Sequence, residues 1–227
     1  MKDDINNAYT TFYKNRNPQK VYPTEFVVRT FLAKYPALKL TLKSNSKVLD
    51  LGFGDGRNTA FLIEQGYEVY GIEITKEIVD LTAKRLANLG LSATLKIGRN
   101  RDIPFEDDFF DVILGCHVSY YCDGADNFQV NLKEFARVLK PKGWFITSLA
   151  DINSYIFKDA ELTSDNLIII KNDPFNNRKG CRLRAFASKE EIIEKFSGLF
   201  ENFSFGTAHN NYYGIDERVF WVVCQKK

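Results

Sequence analysis

The sequence predicts a doubly wound α/β fold with a mostly parallel sheet, and three observations carry that reading. Short apolar runs alternate with amphipathic helical stretches between residues 47 and 149. The first run, Lys47 to Leu51, breaks into Gly52-Phe53-Gly54-Asp55-Gly56, after which Asn58-Thr59-Ala60-Phe61-Leu62-Ile63 opens a helix. The second run, Glu68 to Ile72, ends in an acid, Glu73, placed 21 residues after Gly52.

Each element has a local signal. Residues 1–46 mix aromatic and basic side chains, among them Tyr9, Phe12, Tyr13, Lys14 and Arg16, with Pro18 and Pro23 following. Thr24 is placed to cap a helix from Glu25 to about Lys34, with Phe26, Val27, Thr30 and Phe31 at helical spacing and Pro36 beyond its end. This segment either packs as an arm over the sheet edge or forms a lid in which Tyr9, Tyr13 or Tyr22 closes over ligands. In the loop that follows, Gly52, Gly54 and Gly56 leave no Cβ between backbone and ligand. A nucleotide cofactor can then lie against the amides at the helix start.

That helix ends near Gly66. In doubly wound folds a carboxylate at the tip of the second strand accepts from both ribose hydroxyls, the position Glu73 occupies, and Ile74 is placed to pack on the adenine face. Thr75 caps a helix to about Asn88, with Ile78, Val79, Leu81, Thr82 and Leu86 inward and Gly90 at its end. Ala93 to Ile97 reads as the third strand and Phe109 to Gly115 as the fourth. Asp126 to Leu139 is amphipathic, and Pro141-Lys142-Gly143 turns into a fifth strand, Trp144 to Leu149. Residues 150–187 are the least regular, with one strand candidate at Leu167 to Ile170 and a basic stretch of Arg178, Lys179, Arg182 and Arg184. A connection of that length is more often functional than idle, so it reads as a substrate-side insertion. Ser188 caps a helix from Lys189 to Leu199. Asn202 to Thr207 and Arg218 to Gln225 close the chain as strands, with a polar aromatic loop, His209 to Gly214, between them.

The run Asp50-Leu51-Gly52-Phe53-Gly54-Asp55-Gly56, with Arg57 where a dinucleotide fingerprint has its third glycine, resembles motif I of the class I S-adenosylmethionine (SAM)-dependent methyltransferases. Asp102-Ile103-Pro104-Phe105, ahead of the acidic turn Glu106-Asp107-Asp108 and of Phe110-Asp111-Val112, resembles a second family signature. Phe135 to Trp144 resembles the helix and turn before strand five, so the likeness covers residues 47 to about 149. The resemblance implies a three-layer α/β/α sandwich around a seven-stranded sheet with an antiparallel C-terminal strand. It implies an enzyme that uses SAM and releases S-adenosyl-L-homocysteine (SAH). Asp50, Gly52, Phe53, Gly54 and Gly56 would then cradle the cofactor, Asp102 would accept from the adenine amino group with the Ile103 amide near the ring, and Cys116 would lie near the methionine moiety. Phe53, where many members have a small residue or cysteine, would narrow the methionine end.

His117 and Asp151, just past strands four and five, are the candidate catalytic groups, since a hydroxyl or amine acceptor benefits from a base. Candidate substrate contacts are Tyr9, Tyr13, Tyr120, Tyr121 and His209, with Arg184, alongside Arg182, as a clamp for a phosphate or carboxylate. Arg57-Asn58 is similar to tellurite-resistance-type and related small-molecule methyltransferases. Asn172-Asp173-Pro174-Phe175 imitates the proline-aromatic box of nucleic-acid amino-methyltransferases but does not follow strand four, where that box belongs.

Composition bounds the rest. The 227 residues suit a single domain: an N-terminal helical cap at 1–46, a SAM-binding core at 47–149, the insertion at 150–187 and a closing helix and strands at 188–227. A net charge of +2 advertises no field for nucleic acid or an acidic membrane. The four cysteines show no paired metal spacing, so reduced thiols and no metal are expected. No leader segment and no long apolar run is visible, so the expected setting is cytoplasmic, with no membrane partner. Monomer and homodimer both remain open. The expected activity is in-line methyl transfer to a small-molecule acceptor, a sugar derivative or another metabolite. The alternatives are a SAM-binding regulatory module that does not methylate, and a nucleic-acid or protein methyltransferase.

Overall fold

The computed structural model describes residues 2–15, 21–124, 126–163 and 167–227, so Arg16 and Pro18 lie outside the described residues. Strands β1 (Lys47–Leu51), β2 (Glu68–Glu73), β3 (Thr94–Ile97), β4 (Phe110–Gly115) and β6 (Leu139–Ala150) are parallel. Two antiparallel strands, β10 (Phe200–Tyr212) and β11 (Ile215–Lys226), complete a seven-stranded sheet in the order β10-β11-β6-β4-β1-β2-β3. Order reverses at β1, which pairs with β2 on one side and β4 on the other. A crevice opens there because the two following connections leave toward opposite faces.

Both faces of the sheet are covered. Val48, Val112, Leu114 and Ile146 point to one side and meet Phe26 and Val27 of α2 (Glu25–Leu32) and Phe61 and Leu62 of α3 (Arg57–Glu64). Their neighbours Leu49, Ile113 and Phe145 point to the other and meet Leu132 and Phe135 of α5 (Phe128–Val138) and Phe196 of α6 (Lys189–Phe196). Alternation along each strand, with apolar residues at both parities, is what a doubly covered parallel sheet requires. The remaining helices are α1 (Lys2–Asn15) and α4 (Lys76–Asn88). Thr75 and Ser188 cap α4 and α6 through their side chains, accepting from Ile78 N and Glu191 N. Thr24 sits at the N-cap of α2 without a side-chain cap bond. Leu81, expected inward, is 40% exposed, while Ile78, Thr82 and Leu86 form the buried stripe of α4.

Three segments differ from the sequence reading. The turn expected at Pro141-Lys142-Gly143 is absorbed into β6: Lys142 takes a left-handed φ of 62° and the β4 pairing slips between Phe110 and Val112, so the strand bulges past its proline. The expected polar loop at 209–214 is mostly strand. β10 and β11 pair as far as Tyr212 and Ile215, leaving Tyr213 and Gly214, both at positive φ, as a two-residue hairpin turn. Residues 150–187 contain a 3₁₀ turn (Tyr155–Phe157) and β7 (Glu161–Leu162), β8 (Ile168–Ile169) and β9 (Arg182–Leu183). With β5 (Tyr121–Cys122) these form a second, antiparallel sheet in the order β5-β9-β8-β7. Two-residue strands carry no periodicity that a sequence window can register. No described helix is long and apolar enough to cross a membrane.

Candidate active site

At the carboxyl ends of β1, β2 and β4 lies a cavity of about 350 Å³. One end is built from the β1–α3 loop and the tip of β2. Gly52 has a φ of 62°, and a Cβ there would stand 2.5 Å from Val118 Cγ2, so both backbone conformation and close approach require glycine. A Cβ on Gly54 would collide with the hydroxyl of Tyr13, which sits over the loop. Gly56 caps α3 with a left-handed φ of 72°. Asp50 lies beneath the loop rather than in the cavity: it is buried, and its Oδ2 accepts from Thr59 Oγ1 at 2.6 Å. Burial raises its pKa to about 7, against the stabilising Thr59 bond.

Glu73 faces the cavity and is buried, with no basic side chain within ion-pair distance among the described residues. Its two oxygens accept one backbone N–H each, from Gly54 at 3.1 Å and Ile74 at 2.8 Å. Burial raises its pKa while those two amides oppose the rise. A carboxylate oxygen offers two lone pairs, so each keeps one for a further donor, which is the pattern that two vicinal hydroxyls of a ribose satisfy. Ile74, Gly98 and Cys116 line the same cavity. Burial pushes the Cys116 thiol up to about 12, so it stays protonated at neutral pH. Among the described residues no group of three or more His, Cys, Asp or Glu side chains is placed to hold a metal ion. The residues present fit an adenosyl cofactor.

The second signature is displaced from its expected role. Asp102 is exposed, because residues 99–102 form a tight turn in which Arg99 N and Asp102 N each donate to the other's carbonyl at 3.0 Å. Ile103 is buried outside the cavity, and its N–H donates to Glu134. Neither residue lines the cavity; Gly98, Arg99 and Asn100 do. Asn100 Nδ2 holds the loop after β4 by donating to Val118 O and Tyr121 O at 2.9 and 3.0 Å. Arg99 pairs with Asp123 at 2.8 Å and donates to Asn6 of α1 at 3.1 Å. Phe53 lines the cavity and also packs toward β2: a Cβ on Gly71 would lie 2.5 Å from Phe53 Cδ1, so glycine at 71 leaves room for the ring.

The other end is made of side chains from distant parts of the chain. Helix α1 lies along the cavity, with Tyr13 over the glycine loop and Tyr9 beside Tyr121, whereas Tyr22 is 74% exposed and takes no part. His117 follows β4 with a left-handed φ of 58°, fixed by its N–H donating to Ser148 Oγ at 2.8 Å. Burial, with Arg178 and Arg57 adding positive charge, lowers its pKa to about 4, so the imidazole is neutral at physiological pH. Tyr121, Asn177, Arg178 and Glu217 complete the wall, and burial raises the Glu217 pKa against the pull of Arg178.

Four candidates from the sequence fall elsewhere. Asp151 Oδ1 accepts from the Asn153 amide and side chain at 2.8 and 2.9 Å, closing a local turn away from the cavity. Tyr120 is buried in the core. Arg184 is tied to Glu191 and to Ala185 O and lies over the Phe186 ring. His209 is exposed on β10 and binds Asp216 at 2.7 Å, beside a separate groove under α2. Of the basic residues between 178 and 184, Arg178 reaches the cavity. The tetrapeptide 172–175 places it: Asp173 accepts from the backbone N–H groups of Phe175, Asn177 and Arg178.

Residues 49–147 match a family model described as a methyltransferase domain. Over 107 residues the chain is 34% identical to a demethylmenaquinone methyltransferase of Tropheryma whipplei, covering 46% of this chain and 41% of that protein. It is 28% identical over 105 residues to an uncharacterized methyltransferase of Bacillus subtilis, covering 46% and 40% respectively. The chain spans about half the length, or less, of the curated relatives it matches. A SAM-dependent methyltransferase of Methanosarcina mazei shares the fold with a TM-score of 0.69 at 21% identity, over 85% of this chain and 98% of that one. A Burkholderia thailandensis 1,6-didemethyltoxoflavin-N1-methyltransferase, with its substrate and SAH bound, gives 0.59 at 18% identity over 81% and 72%.

Proposed function

We propose that this chain, whose residues 49–147 belong to the methyltransferase-domain family of class I SAM-dependent enzymes, transfers a methyl group to a small-molecule acceptor. SAM is the cofactor and SAH the product. When bound, SAM supplies a methyl carbon on a sulfonium; the acceptor's lone pair bonds that carbon while the carbon–sulfur electron pair leaves with sulfur. Glu73 binds and orients the ribose through the lone pairs its two amide donors leave open. Gly52 and Gly54 let the loop backbone approach the ligand. Helix α1, tied to the rim through Asn6 and Arg99, excludes water from the reacting end. Alignment of two reactants in this way supplies up to about 7–11 kcal/mol of the barrier reduction. His117, neutral over the physiological range, takes the proton that a hydroxyl or amine acceptor loses.

The observation that carries the small-molecule reading is the size of the cavity under α1. At about 350 Å³, roofed by α1, it stands at the low end of small-ligand sites, roughly 300–1,000 Å³. That space favours a compact acceptor beside the cofactor over a macromolecular chain. Calorimetry with SAH tests the cofactor end, and methyl release from SAM across a panel of metabolites tests the reaction. Failure to bind SAH rejects the proposal. SAH binding with no methyl release to any acceptor, small or macromolecular, supports a regulatory module instead.

A further inference from the structure

Arg178 is a cation held in place by groups that leave its charge unmatched. Its Nε donates to the Tyr121 hydroxyl at 3.0 Å and its Nη1 to the Tyr155 hydroxyl at 2.8 Å. Its Nη2 makes no hydrogen bond, and no carboxylate lies within ion-pair distance of the guanidinium among the described residues. Asp173, the nearest acid in sequence, is turned to the backbone of the same turn. Glu217 lines the same cavity but stands beyond ion-pair reach; burial raises its pKa and Arg178 pulls it back down.

The phenols continue the pattern. Tyr9 O–H donates to the Tyr121 oxygen at 2.9 Å, so that oxygen accepts twice, from Tyr9 and from Arg178. A hydroxyl has two lone pairs and one proton, so Tyr121 has only its proton left to offer, and Tyr155, which also accepts from Arg178, is left with a proton to donate. Around Arg178 the wall therefore offers the Tyr121 proton and the free Nη2 of the guanidinium, alongside the unpartnered Asn177 Oδ1 and the Glu217 carboxyl. Arg178 is half-buried, and a ligand that takes water away from its charge must pair it.

We infer that the methyl acceptor carries a carboxylate, bound by the free Nη2 of Arg178 with the phenol proton of Tyr121 donating to it. A single unmatched cation calls for a monoanion, and a carboxylate takes a short, charge-assisted bond from a guanidinium N–H. The ion pair withdraws electron density from the carboxylate oxygens, so this group anchors the acceptor and the methyl group goes to a different atom of it. The inference rests on the methyltransferase reading, which SAH binding tests separately.

The experiment is a calorimetric and thermal-shift titration of the SAH-loaded protein with acetate and benzoate, and with acetamide and benzamide as their neutral counterparts. The expected result is that the acids bind at least about tenfold more tightly than the amides. Arg178→Met should abolish that preference, Arg178→Lys should restore part of it, and Tyr121→Phe should weaken the acids several-fold. SAH affinity should stay within about twofold in all three variants. Equal response to acids and amides in the wild-type protein, or an acid preference that survives Arg178→Met, overturns the inference while leaving the methyltransferase reading intact. Loss of SAH binding by the wild-type protein overturns that reading instead. If Arg178→Met fails to fold, the ¹⁵Nε resonance of Arg178 decides: it should shift on adding benzoate and not benzamide, and an unmoved resonance rejects the carboxylate site.

Discussion

The cavity has two ends, and they are assembled from different materials. The cofactor end comes mainly from one stretch, β1, the glycine loop, α3 and β2, with Tyr13, Gly98 and Cys116 added around it, and we assign its work to backbone amides and a single carboxylate at a strand tip. The acceptor end draws Tyr9 from α1, His117 and Tyr121 from the segment after β4, Arg178 from an Asx-type turn and Glu217 from the closing hairpin. Backbone geometry binds what all members of a family share, because it depends on glycine positions and strand direction. Side chains brought together by long-range packing recognise what differs, because each can change without disturbing the sheet.

The largest effect that would break this contrast is at Glu73. Glu73→Ala should weaken SAH by about 100- to 1,000-fold in calorimetry, since two hydroxyls lose a charged acceptor. If the loss is under fivefold, the cofactor end does not work as described. Next comes Asp50, whose pKa of about 7 in the folded protein exceeds its ordinary 3.8. A raised carboxylate pKa means that the fold holds a proton the unfolded chain releases, so this contribution to stability is full below about pH 4 and is lost as pH rises through about 7. Asp50→Asn should flatten the fall in stability between those pH values by about 4 kcal/mol, read from urea unfolding at each pH.

Gly71→Ala sharpens the contrast from within the sheet. Its Cβ would press on Phe53 and Leu95, costing about 1–3 kcal/mol of stability. Phe53→Leu in the same chain should recover part of the lost melting temperature. At the acceptor end, His117→Gln should lower turnover at saturating substrate by about tenfold, a modest loss because a base of pKa about 4 is poorly matched to neutral pH. Unchanged turnover removes the base role. Smallest are Asp102→Ala, for SAH affinity, and His209→Ala, for turnover; each should change its measurement by less than about twofold, because both side chains lie outside the cavity.

The asymmetry between the ends is also an asymmetry in what could be read from residues. Glu73 was legible because strand, acid and spacing are local features, and the structure puts its carboxylate in the cavity. Asp102 was assigned to adenine on its position before Ile103-Pro104-Phe105, yet a four-residue turn carries it to the surface and presents Arg99 and Asn100 instead. A one-turn error in register is invisible when the turn itself has no glycine or proline to mark it. Among the basic residues at 178–184, spacing alone does not separate a clamp from a structural ion pair. Arg184 found its partner in Glu191, and Arg178 was left facing the cavity. The signal for Arg178 was present, in Asp173-Pro174 as a turn former five residues upstream, but it reads as ordinary loop chemistry until the turn is seen against β5 and α1.

By itself the sequence determined the alternating core, the glycine loop and the acid at the second strand tip, on which the family resemblance and its cofactor rest. Those are consequences of side-chain period, of left-handed backbone that glycine alone adopts freely, and of strand polarity, all set within a few residues. Tertiary structure decided which tyrosines roof the cavity, that His117 is neutral and that Arg178 rather than Arg184 is the unmatched cation. These depend on which charges and apolar surfaces meet across more than a hundred residues, and burial and pairing are properties of the packed neighbourhood rather than of any stretch of chain.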